Sequence, residues 1–220
     1  MVRELGIEWL CSSTRIFIKF PSINYATLVT LSLVKYCVDK YRSLPIVIAL
    51  DDAVLQKFQG NEVLDELLRS GVEITSLREL TFSRLGKDSK LCVIASELKD
   101  NFDNVWIASF VKCRVKPVNA TRCVAKNLDR MSIVVCRDGI ACFDVRGSRA
   151  EHRVCPKEME ALEIITRYEA EFGTLTVRDA VNAISLELGV SRDDARRILG
   201  MLKFLGLVDV RRGYVHAELW

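Results

Sequence analysis

Histidine is scarce in this sequence, with two residues in 220. The eight cysteines include no pair at C-x-x-C spacing, which is common in zinc and iron–sulfur sites. With so few histidines to complete a ligand set, the sequence predicts no metal site and no cofactor. Several cysteines lie within apolar runs such as LCVIA and IVVC, where a free cysteine behaves as a small core residue. Structural disulfides are the alternative, and the sequence does not show how the cysteines would pair.

Long hydrophobic runs are also missing. The longest apolar stretch, Tyr25–Val38, has 14 residues and contains Lys35, whereas a helix that spans a bilayer needs about 20 apolar residues. The first residues mix Arg3, Glu4 and Glu8 with apolar side chains, so they lack the uninterrupted apolar centre of a secretory signal. We therefore expect a cytoplasmic protein without a membrane partner.

Half of the residues are hydrophobic and 28% are charged, a balance typical of globular proteins with a real core. The net charge of +3 is unevenly distributed. Residues 1–150 carry 22 Lys and Arg against 17 Asp and Glu, whereas residues 151–220 carry 10 against 12. The segment Val105–Arg149 alone has nine basic and three acidic residues, which makes it the most basic candidate surface for an anionic partner.

The first half of the chain alternates between strand and helix patterns. The periodicities predict strands over Thr14–Phe20, Leu44–Leu50 and Val72–Ser76, with helices over Asn24–Tyr41 and Asn61–Arg69. Strands separated by helices pair in parallel through crossovers, so this order predicts an α/β sheet.

The next elements change the predicted connectivity of the sheet. Strands are predicted over Lys90–Ala95 and Val105–Phe110, and then over Met131–Val135 and Ile140–Val145 around an Asp-Gly turn, which favours a hairpin. The predicted sheet is therefore mixed. The polar segment Arg146–Arg149 predicts a hinge, which divides the chain into domains 1–150 and 151–220.

Beyond residue 150 the pattern predicts three helices followed by a two-stranded hairpin. The first helix runs from Pro156 to Phe172, Thr176 caps the second, and Ser191 begins the third with a variant of the capping box. The residues TVRDAVNAISLELGVSRDDARRILGMLKFLGLVDVRRGYVHAEL carry a resemblance to the winged-helix family that covers Cys155–Leu219.

The winged-helix resemblance implies that the exposed face of the third helix enters the major groove of double-stranded DNA. The residues that it implies for DNA contact are Arg192, Arg196, Arg197, Lys203, Arg211 and Arg212. The alternative is a protein-docking module, because Asp193 and Asp194 lie in the same helical turn and winged helices also bind protein partners.

Residues 1–147 resemble the phospholipase-D-like superfamily, through TRIFIKFPSINYATLVTLSLV, IVIALDD, DSKLCVIAS, VWIASF and SIVVCRDGIACFDV. Family members use the motif H-x-K, four residues and D, followed by a strand with G-S-x-N. Here Lys90 and Ser109 match the lysine and the serine, but Asp88 replaces the histidine nucleophile and Ala95 replaces the aspartate. The resemblance therefore implies a catalytically inactive α/β domain.

Phosphate binding without cleavage remains open for this domain. The candidate residues are Lys90, Ser109, Lys112, Arg114, Lys116 and Arg122. The alternative is that Lys90 begins a strand at the surface and that the basic run is a solvated loop. The acidic pair Asp51-Asp52 can either line a ligand site at the end of a buried strand or cap a following helix.

These patterns together predict a DNA-binding protein of regulatory or architectural type, in which the α/β domain dimerises or senses an effector. TrmB-like archaeal regulators are similar in joining a winged helix to a phospholipase-D-like domain, although the order of the two domains is reversed there. We expect a homodimer, because single-motif members of the superfamily pair and a dimer suits paired DNA half-sites. The alternatives are a nuclease or phosphodiesterase built on Asp88, Lys90 and Ser109, and a subunit whose winged helix binds protein.

Overall fold

The computed structural model describes residues 4–5, 7–12, 15–41, 45–80, 89–99, 105–115, 119–136 and 139–217. The chain divides into two compact units. The larger unit comprises Ile7–Cys136 and Ala141–Arg153, and the smaller unit comprises Met1–Gly6, Arg137–Ile140 and Val154–Trp220.

The larger unit is built on a mixed sheet with helices, as the sequence predicted. Its strands are β2 (Ile16–Lys19), β3 (Ile46–Leu50), β4 (Glu73–Ser76), β5 (Lys90–Leu98), β6 (Val105–Cys113), β7 (Thr121–Leu128), β8 (Met131–Cys136), β9 (Gly139–Arg146) and β10 (Arg149–Arg153). They lie in the order β9-β8-β7-β2-β6-β5-β3-β4, and β10 pairs with β9. A short β1 (Glu4–Leu5) pairs in parallel with the first two residues of β9, within the smaller unit.

The parallel part of the sheet runs from β7 to β4. Strands β2, β3, β5 and β6 pair in parallel with their neighbours, whereas β7 pairs with β8 and β9 with β10 in antiparallel register. Strand β3, with the sequence IVIAL, is buried along its whole length. This burial on both faces explains why the strand reads as a continuous apolar run.

Four helices belong to the larger unit: α1 (Glu8–Ser12), α2 (Ile23–Tyr41), α3 (Asp52–Lys57) and α4 (Glu62–Arg69). Helix α2 packs on β5, β6, β10 and α4, and its buried Leu31 and Val34 join the main core cluster. Asn61 caps α4 by accepting hydrogen bonds from the backbone N–H groups of Val63 and Leu64. A second cluster, which includes Phe17 and Phe110, fills the other face of the sheet.

Two disulfides cross-link the larger unit. Cys11–Cys37 joins α1 to α2, and Cys123–Cys136 joins opposite residues of β7 and β8. Cys142 and Cys155 are disulfide-bonded as well. The interpretation of Cys136, in the apolar run IVVC, as a free core cysteine was therefore wrong, and the alternative of structural disulfides holds for it. Cys92 is free and buried, as the apolar run LCVIA indicated.

The segment Arg146–Arg149 forms a tight turn. Arg146 pairs with Arg149 across the β9–β10 hairpin, and Gly147 in the turn has a φ of 55°, which favours glycine. Arg137 and Asp138, part of the other predicted turn, lie outside the described residues.

The smaller unit contains the three predicted helices: α5 (Lys157–Phe172), α6 (Val177–Leu188) and α7 (Arg192–Phe204). Thr176 caps α6 by accepting from the backbone N–H of Asp179, and Ser191 caps α7 by accepting from that of Asp194, both at 3.1 Å. Strands β11 (Leu175–Thr176), β12 (Val208–Arg211) and β13 (Tyr214–Ala217) form a three-stranded sheet in the order β11-β13-β12.

Candidate nucleic-acid interface

Helix α7 separates an apolar side from a basic side. Ala195, Leu199 and Leu202 are buried in the smaller unit. The four predicted contact residues of this helix, Arg192, Arg196, Arg197 and Lys203, are all exposed. Because 3.6 residues complete a turn, Arg192, Arg196 and Lys203 lie along one stripe that is about 16 Å long, and Arg197 lies at the other margin of the exposed face.

The hairpin of β12 and β13 presents two further predicted cations. Arg211 ends β12, and Arg212 with Gly213 forms the two-residue turn to β13. The φ angles of 52° at Arg212 and 84° at Gly213 are those of a type I′ turn, whose twist matches the twist of the strands. The turn therefore holds two exposed arginines at the tip of a short, regular hairpin.

Three of the six cations form ion pairs with neighbouring carboxylates. Arg196 pairs with Asp193, Arg197 with Asp194 and Arg211 with Asp209. The Ser191 hydroxyl and the Arg197 guanidinium lower the pKa of Asp194, and Arg211 lowers that of Asp209, so both carboxylates stay charged at neutral pH.

The other three cations of this set, Arg192, Lys203 and Arg212, have no ion-pair partner among the described residues. Ion pairs between exposed side chains contribute only about 0.2–1 kcal/mol each, so a phosphate can replace the carboxylate partners of the first three. We call these six exposed residues and the surface between them the basic face.

No family model, curated protein or solved structure matches this chain. Within the described residues, no group of three or more metal-ligating side chains could hold a metal ion. Among the helices that the structure describes, none is both long and apolar enough to cross a membrane.

Lys90 and Ser109, the two residues that match the phospholipase-D-like motif, lie apart. Ser109 pairs in register with Ile94, four residues along β5 from Lys90, which is a separation of about 13 Å along the strand. Ser109 is fully buried, and its Oγ lies 2.6 Å from the Thr30 Oγ1 in α2. Its hydroxyl therefore connects helix and sheet in the core.

The Lys90 ammonium is held by the fold. It donates to the backbone carbonyl of Cys11 at 3.3 Å and lies 4.3 Å from the centre of the Trp106 ring, a cation–π contact. Partial burial lowers the pKa of Lys90 below its usual value. Lys90 thus begins β5, as the alternative interpretation had it, but its side chain is partly buried and not at the surface.

The remaining candidate phosphate contacts lie around the ends of β6 and β7. Lys112, Arg114 and Arg122 are exposed, and the Arg114 Nε lies 2.5 Å from the Glu97 Oε1. Lys116, together with Asp88 of the motif, lies outside the described residues. The described geometry therefore does not bring these exposed cations together with the buried Ser109.

The acidic pair after β3 has structural partners. The Asp51 carboxylate accepts from the backbone N–H of Ala53 at 3.3 Å and so caps α3. The Asp52 carboxylate accepts from the Ser76 hydroxyl at 2.5 Å and pairs with Arg78 at 2.9 Å. These contacts favour the capping interpretation over a ligand site.

Sequence reasoning missed a polar cavity in the larger unit. The cavity, of about 360 Å³, is lined by α2, α4 and β10, with Lys35, Tyr36, Glu66, Arg149 and His152 among its residues. The His152 Nε2 is buried without a hydrogen-bond partner among the described residues, and burial lowers the pKa of His152. The sequence contained one indication of this cavity, namely that His152 is one of only two histidines. Strand β10, which carries His152, was not predicted.

Proposed function

We propose that the chain is a DNA-binding protein of regulatory or architectural type, in which the smaller unit is a winged helix that binds double-stranded DNA. Helix α7 would occupy the major groove of the DNA. The hairpin of β12 and β13 would be the wing, and Arg211 and Arg212 at its tip would contact the adjacent sugar-phosphate backbone of the DNA. The observation that carries this proposal is the basic face, where six predicted cations are exposed on one helix and one hairpin tip of the same unit.

The larger unit, in this proposal, is a catalytically inactive phospholipase-D-like domain that serves dimerisation or effector sensing. Support comes from the sequence resemblance, from the separation of Lys90 and Ser109, and from the cavity beside His152. A homodimer would place two α7 helices on successive half-sites of the DNA. Sedimentation equilibrium on the full chain measures the oligomeric state, and a monomer at micromolar concentration would contradict the dimer.

The test of DNA binding is its dependence on salt. Fluorescence anisotropy with a labelled duplex of random sequence gives Kd at several salt concentrations. The three unpaired cations predict a slope of log K against log salt of about −2.7 for each winged helix, and all six predict about −5.4.

A matched pair of variants locates the DNA contact. Lys203→Ala removes an unpaired cation of the basic face and should make the slope shallower by about 0.9. Arg69→Ala removes the same charge from an exposed residue at the end of α4 in the larger unit and should leave the slope unchanged. A wild-type slope near zero, or equal effects of the two variants, would contradict the proposal.

A further inference from the structure

Gly200 lies in the middle of α7, on its exposed face. Glycine is unfavourable inside a helix because it loses more backbone freedom on folding than any other residue. An exposed position in the middle of a helix is therefore where alanine, lysine or glutamate would be expected.

Neither the backbone conformation nor the packing of the chain requires glycine at this position. Seven other described glycines have positive φ angles in turns or helix ends, but Gly200 has a helical φ that any residue adopts. A Cβ atom built on Gly200 would meet no heavy atom within 4 Å. The loss of helix stability that glycine causes here is thus not offset by any contact within the described chain.

Gly200 lies among the cations that α7 contributes to the basic face. Arg196, Gly200 and Phe204 follow one another at four-residue spacing and therefore lie in one row along the helix. Lys203 flanks this row on the side of Arg192, and Phe204, at the end of the row, is 83% exposed.

We propose that Gly200 is the point at which the backbone of α7 comes closest to DNA, so that the missing side chain sets how deeply the helix enters the major groove. This inference rests on the DNA binding proposed above. The groove is about 12 Å wide and a helix with its side chains is about 10–12 Å across, so removing one side chain at the contact changes the fit. The exposed Phe204 would then reach an apolar base edge such as the thymine methyl group.

Charge favours DNA over a protein partner as the occupant of this face. The residues that surround Gly200 on the exposed side include Arg192, Arg196, Arg197 and Lys203, and two of them, Arg192 and Lys203, form no ion pair among the described residues. A polyanion gains from every one of these cations, whereas a protein surface would have to supply matching carboxylates.

The experiment compares Gly200→Ala and Gly200→Leu with the wild type in the full chain. The wild type first selects a preferred duplex from a random-sequence pool, and all variants are measured on that duplex. Gly200→Ala should raise the midpoint of thermal unfolding by about 2–4 °C, because alanine favours the helix and meets no obstacle. The same variant should bind DNA at least about tenfold more weakly, with an unchanged salt slope, and Gly200→Leu more weakly still.

Lys203→Ala serves as the contrasting variant, because it should weaken binding and also make the salt slope shallower by about 0.9. Gly200 variants that bind DNA like the wild type would overturn the inference and leave the proposed function intact. Wild-type protein that binds no duplex would overturn the proposed function itself. Variants that change self-association in sedimentation experiments while DNA affinity stays constant would assign the face to a second copy of the chain and also overturn the inference.

Discussion

If α7 binds DNA as proposed, replacing Asp193 with asparagine should strengthen that binding. The Asp193 side chain is 83% exposed in the first turn of α7, and its Oδ1 lies 2.6 Å from the Nη1 of Arg196. Asp193→Asn keeps the shape of the side chain but removes the negative charge that forms an ion pair with Arg196. Arg196 is then free to pair with a phosphate, and the repulsion between Asp193 and the DNA backbone is lost.

The expected gain in DNA affinity follows from the solvent exposure of Asp193 and Arg196. A unit charge about 4 Å from another contributes about 1 kcal/mol in water, so the affinity should rise about fivefold at low salt. One additional phosphate contact should make the slope of log K against log salt steeper by about 0.9. The protein should lose about 0.5–1 kcal/mol of stability, because an acid in the first turn interacts favourably with the helix dipole.

Anisotropy titrations between low and moderate salt measure both quantities. Asp65→Asn is the control, since Asp65 lies in the first turn of α4 in the larger unit and its replacement changes the net charge equally. The control should lose a similar stability, while the salt slope stays within error of the wild type. The reasoning is refuted if Asp193→Asn leaves the slope unchanged, or if Asp65→Asn steepens it by the same amount.

Three further predictions concern the larger unit. Cys37→Ala opens the Cys11–Cys37 disulfide, whose 26-residue separation predicts a loss of about 3.5 kcal/mol in urea unfolding, and a loss below 1 kcal/mol would contradict the pairing. The Tyr36 hydroxyl lowers the pKa of Glu8 to about 2, so wild-type stability should fall as the pH drops from about 4.5 to about 2, and Glu8→Gln should remove this component of the pH dependence. Lys90→Met should leave DNA affinity within about twofold of the wild type, because the fold holds its ammonium; a tenfold loss would show phosphate contact.

The strongest sequence predictions concerned elements whose signals are local. The predicted helix from Asn24 is observed as Ile23–Tyr41, and the predicted strand Leu44–Leu50 is observed as Ile46–Leu50. The caps at Thr176 and Ser191 were also predicted correctly, because capping depends on a side chain and a backbone N–H within three residues. Periodicity and capping therefore predicted the elements of the smaller unit almost completely.

Features that depend on distant partners were not predictable in this way. Strand β7, with the sequence TRCVAKNL, carries two cations and an asparagine, so its pattern did not separate it from a solvated loop. It forms a strand because β2 and β8 supply hydrogen bonds on both sides. The disulfide between Cys123 and Cys136 depends on the same register, which the sequence alone does not contain.

The spacing of the phospholipase-D-like motif also did not predict whether the residues of the candidate phosphate site lie close together. Lys90 and Ser109 match two positions of a motif, but the register of β5 against β6 decides whether such residues meet. Strand pairing places Ser109 beside Ile94 and turns its hydroxyl to Thr30 in the core. The match of Ser109 to a motif position therefore did not show whether its side chain is buried or exposed.

Charge placement, rather than net charge, supports the proposal that the smaller unit binds DNA. Residues 151–220 hold 10 basic and 12 acidic residues, which by itself argues against binding to a polyanion. Two of these acids are engaged elsewhere, since Glu187 pairs with Arg167 and Glu169 contacts His216 and the backbone of β13. Salt screens exposed charges over about 8–10 Å, so a phosphate at the basic face responds most to the charges nearest to it, which include the six cations and the three aspartates paired with them. The net charge of these nine residues is positive, although the net charge of residues 151–220 is negative.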